Sequence, residues 1–239
     1  MFRANWLTRV VLTCATILPA AVLAGPAVEI TPDSFDFGKT FQHVKVTHTF
    51  WVKSVGNATL RIDKVIPGCG CTEAPLMDSV LAPGDSTALE ITFATKSFMG
   101  SIYKKPHLIT NASEKKVTIG IRADVTVTPE LFAPLRLTPY KVDLSDDGGQ
   151  PRRHAVFLIE NRGERDLNLR LIDQPEDYIE VTLPGRLKAG ETAEGLVVVR
   201  QAAALEFEKS FTFQIDDEHG TRYSVPVTRL QQTADAGQN

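Results

Sequence analysis

The sequence is short of several things. Its 239 residues include three cysteines, three methionines and two tryptophans. It has no basic surplus: 26 Lys and Arg stand against 29 Asp and Glu, a formal net charge of -3. Nothing in that balance offers a footprint to nucleic acid phosphates. Gly-x-Ser-x-Gly, a phosphate loop and His-Glu-x-x-His are all missing, so the common hydrolase, nucleotide and zinc-protease constellations are excluded. Beyond the first 24 residues no apolar run reaches 18, so no membrane span is expected in the remainder. What is present is ordinary: 43% hydrophobic and 23% charged residues. That excludes wholesale disorder, a collagen-like chain and a coiled coil.

The N-terminus carries Arg3 and Arg9, and no acid precedes Glu29. Val10 to Ala24 form an apolar run ending in Val22-Leu23-Ala24. A positive start, a short apolar stretch and a small final residue describe a secretory signal peptide over 1–24. The run is short for a retained anchor. Cys14 lies in the middle of it, where a lipoprotein cysteine would not. Cleavage removes Cys14 and Trp6, leaving Cys69, Cys71 and Trp51. Export to the periplasm or outside the cell would place both remaining thiols in an oxidising compartment.

An internal repeat runs through the rest. ITPDSFDFG at 30–38 aligns with LTPYKVDLS at 137–145, an offset of 107. FWVKSVGNATLRI at 50–62 aligns with FLIENRGERDLNL at 157–169 at the same offset. LAPGDS at 81–86 meets LKAGET at 187–192, and VTIGI at 117–121 meets YSVPV at 223–227, both at 106. Two copies of one module are expected, at 25–127 and 128–231, meeting near 126–136, with a disordered tail over 232–239.

Each copy reads as β. Val44, Val46, His48, Phe50 and Val52 alternate with Lys45, Thr47, Thr49, Trp51 and Lys53. Such alternation marks a strand with one buried face. Leu89, Ile91 and Phe93 repeat it, as do Val117, Ile119, Ile121 and Ala123. In the second copy Ala155, Phe157 and Ile159, then Leu167, Leu169 and Leu171, then Phe211, Phe213 and Ile215 do the same. Turn signals separate the strands at Val55-Gly56-Asn57, Pro83-Gly84-Asp85, Arg162-Gly163-Glu164 and Ala189-Gly190-Glu191. Residues 201–208 come nearest to a helical period and are short. The fold class expected is all-β, two tandem immunoglobulin-like β-sandwiches of roughly seven strands each.

Three features of the first copy carry a resemblance to a known family. They are ITPDSFDFGKTFQHVKVTHTFWVKSVGNATLRI from residue 30, VIPGCGCTEAPL at 65–76 and LAPGDSTALEITF at 81–93. Over residues 28–125 the chain resembles the bacterial family catalogued as domain of unknown function 1573, with its Cys-Gly-Cys-Thr signature. That family is similar to the Ig-like modules of cilium and centrosome proteins and of major sperm protein. The resemblance implies an exported β-sandwich and no particular activity. The second copy departs from it, with Glu176 and Tyr178 in place of Cys69 and Cys71.

Four readings of Cys69-Gly70-Cys71 stand side by side. The first is a local disulfide, which needs Cα atoms about 4.4–6.8 Å apart. Gly70 and the Pro67-Gly68 bend permit so tight a turn. Such a small ring constrains little chain entropy, and its strain would make it easy to reduce. The second is thiol–disulfide exchange, which wants a nearby cation or helix N-terminus; Lys64 is close in sequence and no helix is expected. The third is a metal site, for which two thiolates suit Cu(I). His43, His48, His107, Met77 and Met99 are the available helpers, at no recognisable ligand spacing, and His48 reads as a packed core histidine. The fourth is a free pair or an intermolecular bridge.

Other motifs read more simply. Asp216-Asp217-Glu218-His219-Gly220 is expected as a solvated hairpin tip, and Asp146-Asp147-Gly148-Gly149 as a loop. Lys104-Lys105 and Lys115-Lys116 suggest a charged edge flanking one loop or hairpin. Asn57-Ala58-Thr59 and Asn111-Ala112-Ser113 match a glycosylation pattern that matters only in a eukaryotic secretory pathway. The function expected is a non-enzymatic binding or scaffolding protein of the periplasm or cell envelope. It would use sheet edges and end loops against a protein or cell-envelope partner, with no cofactor and no nucleic acid. The alternative is a thiol–disulfide redox or Cu(I)-binding protein working through Cys69 and Cys71. A periplasmic chaperone, by analogy of fold alone, is a third reading.

Overall fold

A computed structural model describes residues 25–145 and 152–230. The expected signal peptide at 1–24, the loop at 146–149 and the tail at 232–239 lie outside the described residues.

The first half contributes β1 (Val28–Thr31), β2 (Ser34–Phe41), β3 (Lys45–Ser54), β4 (Leu60–Ile66), β5 (Thr72–Glu73), β6 (Val80–Leu81), β7 (Ser86–Ala94), β8 (Gly100–Lys104), β9 (His107–Thr110), β10 (Lys116–Thr118) and β11 (Gly120–Thr126). A 3₁₀ turn at Pro129–Phe132 leads into the second half. There follow β12 (Leu135–Thr138), β13 (Val142–Asp143), β14 (His154–Asn161), β15 (Leu167–Asp173), β16 (Ile179–Thr182), β17 (Arg186–Leu187), β18 (Thr192–Val199), β19 (Phe207–Ile215) and β20 (Arg222–Arg229). The architecture is all-β and Ig-like. The residues nearest a helical period, 201–208, form turns that run into β19.

The alternation in β3 does what its period of two requires. Val44, just before the strand, and Val46, His48, Phe50 and Val52 are all buried, and Trp51 and Lys53 point to water. Thr47 breaks the rule: it lies on the polar side and is buried too. The run from Val117 to Ala123 also departs from a single strand. It is cut into β10 and β11 at Ile119, whose N–H donates to the Pro106 carbonyl.

Sheets β1-β3-β7-β5 and β10-β9-β4-β6 belong to the first half, and β12-β14-β18-β16 to the second. A fourth sheet crosses between the halves in the order β17-β15-β19-β20-β2-β11-β8, with β13 on β20. The join is the parallel contact of Lys39 on β2 with Tyr223 on β20. Gly38 permits it. Its φ is +63, and a Cβ there would run into the Arg222 backbone, so only glycine lets the strands come this close. Asp36 accepts from the Gly38 N–H at 2.8 Å, and Ser224 Oγ donates to the Phe37 carbonyl at 2.7 Å.

Two hydrophobic clusters fill the interior. One gathers Phe37, Phe50, Leu60, Leu89, Ile91 and Leu108; the other gathers Phe157, Leu167, Phe211, Phe213, Tyr223 and Val225. They interdigitate. Phe41, at the end of β2, belongs to the second cluster, 4.6 Å from the Phe132 ring. Ile172 of β15 packs against the first. A buried phenylalanine contributes roughly 1.5–3 kcal/mol, so each exchange ties the halves together.

Candidate functional site

The residues of interest lie on the loop between β4 and β5. Ile66 ends β4, Gly68 turns the chain at φ +82, and Thr72 begins β5 opposite Phe93 of β7. Ala94 N–H donates to the Cys71 carbonyl at 2.8 Å, so the loop is anchored on β7. Gly70 is exposed and has nothing near the position a Cβ would take.

Cys69 and Cys71 are joined as a disulfide with Cα atoms 5.2 Å apart. The two sulfurs are not equivalent. Cys71 is 5% exposed and part of the first hydrophobic cluster. Cys69 is only partly buried. Polar contacts gather on Cys69: the Cys71 N–H donates to its sulfur at 3.4 Å, and the Thr72 hydroxyl lies 3.3 Å away. The same hydroxyl is 3.9 Å from the Cys71 sulfur.

A cation does reach the loop, and it is not the one the sequence suggests. Lys64 sits on β4 opposite Ile109. Lys96, just beyond β7, donates from Nζ to the Gly70 carbonyl at 2.8 Å. Its backbone is left-handed, φ 43, and so is that of His43, φ 58. The His43 N–H donates to the Lys96 carbonyl at 2.9 Å, holding the two unusual residues against each other. Left-handed backbone at a residue with a Cβ costs roughly 1–2 kcal/mol, and such outliers gather at functional sites.

His43 and Lys96 also line a cleft of about 300 Å³ between the halves, with Lys45, Lys141, Glu208 and Lys209. Lys45 pairs with Glu208 at 2.6 Å, and that hydrogen bond holds its ammonium above the ordinary lysine range against a smaller effect of burial. Lys209, 9% exposed, donates to Glu90 at 2.6 Å and lies 4.3 Å from the Tyr178 ring.

The suggested metal helpers are placed as follows. His48 is stacked on Phe35 at 3.7 Å and edge-on to Phe50. Its Nδ1 lies 2.9 Å from Asp173 Oδ2 of β15, off hydrogen-bonding alignment, and among the described residues neither ring nitrogen has a hydrogen bond. His107 pairs in the sheet opposite Ile66 and Thr118. Met77 and Met99 are 82% and 68% exposed. Among the described residues no three His, Cys, Asp or Glu side chains form a group that could hold a metal ion, and no helix is long and apolar enough to cross a membrane.

The remaining motifs fall into place. Residues 216–220 form the turn between β19 and β20, with Asp217 accepting from Thr221 N–H at 2.7 Å. The paired lysines flank β9: Lys104 lies 4.7 Å from the Phe98 ring, and Lys115 and Lys116 are exposed at the β9–β10 turn. Asn57 and Asn111 are both occupied structurally, accepting from Gly25 N–H at 2.6 Å and Arg61 N–H at 2.8 Å.

Fold and loop together define an Ig-like β-sandwich protein with a Cys-Gly-Cys disulfide loop on one half. Residues 28–125 match the profile of the family described as "Protein of unknown function (DUF1573)". No curated protein matches the chain. Among solved structures, it is similar to a protein of unknown function from Porphyromonas gingivalis W83, at 12% identity and a TM-score of 0.35, covering 84% of this chain and 98% of that one. It is also similar to the ASH/PapD-like domain of human CEP192, at 10% identity and a TM-score of 0.36, covering 50% and 99%.

Proposed function

We propose that this is an exported, non-enzymatic Ig-like binding or scaffolding protein of the periplasm or cell envelope, built by duplication of one module. The carrying observation is the sheet that crosses between the halves and ends in an open edge. Among the described residues β8 is paired on one side only, to β11. Ser101 and Tyr103 face water there, Tyr103 at 59% exposure. An unpaired edge on a rigid sheet accepts an added strand, with main-chain hydrogen bonds giving affinity and side chains giving choice. Lys104, Lys105 and Arg122 beside it would discourage self-pairing and favour an extended partner segment with acidic residues.

Export is supported by Arg3, Arg9 and the Val10–Ala24 run, and by the disulfide, which belongs to oxidising compartments. Gly25, the residue after the cleavage point, is already held by Asn57.

The test is site-specific photo-crosslinking in the producing cell. A photoreactive residue at Tyr103 should give one discrete protein adduct, and one at exposed Glu164 should give none. Ser101→Glu combined with a neighbouring crosslinker should weaken the adduct, by repelling an acidic partner segment, without changing the melting temperature. Absence of any adduct at β8, or equal adducts at both positions, would overturn the reading.

The alternative, a thiol–disulfide or Cu(I) protein, rests on Cys69 and Cys71. The joined sulfurs and the Lys96 contact favour exchange over metal.

A further inference from the structure

The geometry points to Cys69 as the exchanging sulfur of a thiol–disulfide centre acting on protein thiols, with Cys71 as the resolving partner. This deepens the thiol reading of the pair and is independent of the binding role at β8. Three observations carry it. Cys69 is the more exposed residue of the pair, partly buried at the margin of the first hydrophobic cluster, and Cys71 is buried within that cluster. The Cys71 N–H and the Thr72 hydroxyl both address the Cys69 sulfur, so charge developing there meets donors already in place. Lys96 is held in a left-handed conformation that sets its ammonium on the Gly70 carbonyl, between the two cysteines. An accessible sulfur in an electropositive setting is where exchange occurs; a buried apolar one is inert.

The chemistry balances as follows. A client thiolate attacks Cys69 Sγ. A client–Cys69 bond forms, the Cys69–Cys71 bond breaks, and the electron pair leaves on Cys71. A second client thiolate then attacks the client sulfur of this mixed disulfide. The client's own disulfide forms, the bond to Cys69 breaks, and the electron pair leaves on Cys69, facing Thr72 and the Cys71 N–H. The two protons given up by the client thiols end on Cys69 and Cys71. The client dithiol is oxidised by two electrons and the loop is reduced to a dithiol. Exchange with a second, disulfide-bearing protein runs the same steps in reverse and restores the loop.

The test uses the mature chain and glutathione as probe. Wild-type protein in excess reduced glutathione should lose its disulfide. Cys71→Ser, which leaves Cys69, should form a mixed disulfide with glutathione disulfide at least about tenfold faster than Cys69→Ser, read by intact mass. Adding Lys96→Met or Thr72→Val to Cys71→Ser should slow that reaction severalfold and move its pH profile upward, a change that a packing role alone would not produce. Equal rates at the two cysteines would overturn the assignment of roles and leave the thiol reading standing. A wild-type disulfide that survives reduced glutathione would overturn both. Where a serine variant fails to fold, the mixed disulfide trapped on the wild-type loop with glutathione and located by peptide mass decides the roles: glutathione on Cys69 supports the assignment, and glutathione on Cys71 overturns it.

Discussion

Thr47 and Ser210 bond each other reciprocally across the two halves. Thr47 N–H donates to Ser210 Oγ at 2.7 Å, Ser210 N–H donates to Thr47 Oγ1 at 3.1 Å, and Ser210 Oγ–H donates to the Thr47 carbonyl at 3.2 Å. The contact exists because β1 covers β3 only from Trp51 to Ser54. The open part of that edge presents backbone groups that need partners, and β19 supplies them. Ser210→Ala leaves the buried Thr47 N–H bare. The expected loss is about 2 kcal/mol, from the about 1–3 kcal/mol of an unsatisfied buried group. Urea unfolding checks it, and Thr47→Ser, which keeps the hydroxyl, should lose less.

Lys209 and Glu90 make the neighbouring charged contact. Lys209 is almost fully buried, so removing only its partner strands an ammonium in the interface. Glu90→Gln should cost toward the lower end of about 3–5 kcal/mol, because Glu90 keeps some access to water. Lys209→Met together with Glu90→Gln should recover part of that loss. A double-mutant cycle on urea midpoints reads the coupling; additive losses would show that the pair contributes nothing as a pair.

The fold was legible wherever a residue's fate depended on near neighbours. The period of two in β3 and β7 and the glycine turns at Gly84 and Gly190 are local signals, and the cysteine pair announces its own loop. What escaped depended on the other half. Thr47 carries the sequence pattern of a solvent-facing residue and is buried by Ser210. Phe41 closes a first-half strand and packs in the second-half cluster. The cation at the disulfide loop, Lys96, lies well along the chain, brought in by β7, so proximity in sequence pointed to Lys64 instead. Left-handed φ at a lysine has no sequence signature, unlike the same conformation at glycine.

Acid should weaken the fold through particular carboxylates. Hydrogen bonding by Ser145 holds Asp143 below the usual carboxylate range, against burial. Burial pushes Asp217 up, but hydrogen bonds from Thr221 outweigh it and leave its carboxyl low. A depressed folded-state value means the ionised form contributes stability above the unfolded value, about 3.9, and loses it as pH falls through the lower folded one. Urea midpoints should therefore be flat near neutral pH and fall below about pH 4. Asp217→Asn should make that fall shallower; an unchanged acid profile would remove Asp217 from the account.

Gly38 tests whether the crossing sheet is what makes the two halves one unit. Gly38→Ala imposes two separate costs: left-handed backbone at a residue with a Cβ, and collision of that Cβ with Arg222 backbone on β20. Gly84→Ala supplies the control, because Gly84 also has positive φ, +90, but has nothing near its missing Cβ. The control should lose roughly 1–2 kcal/mol. Gly38→Ala should lose clearly more, and the excess should appear at the join: β2 must withdraw from β20, releasing the Ser224 bond to the Phe37 carbonyl. Hydrogen exchange at β2 and β20 should then speed up while the interior of β14 and β18 stays protected. Equal losses for the two variants would mean that β2 can shift aside freely, and that Phe41 and the Thr47–Ser210 contact hold the halves together without the strand junction.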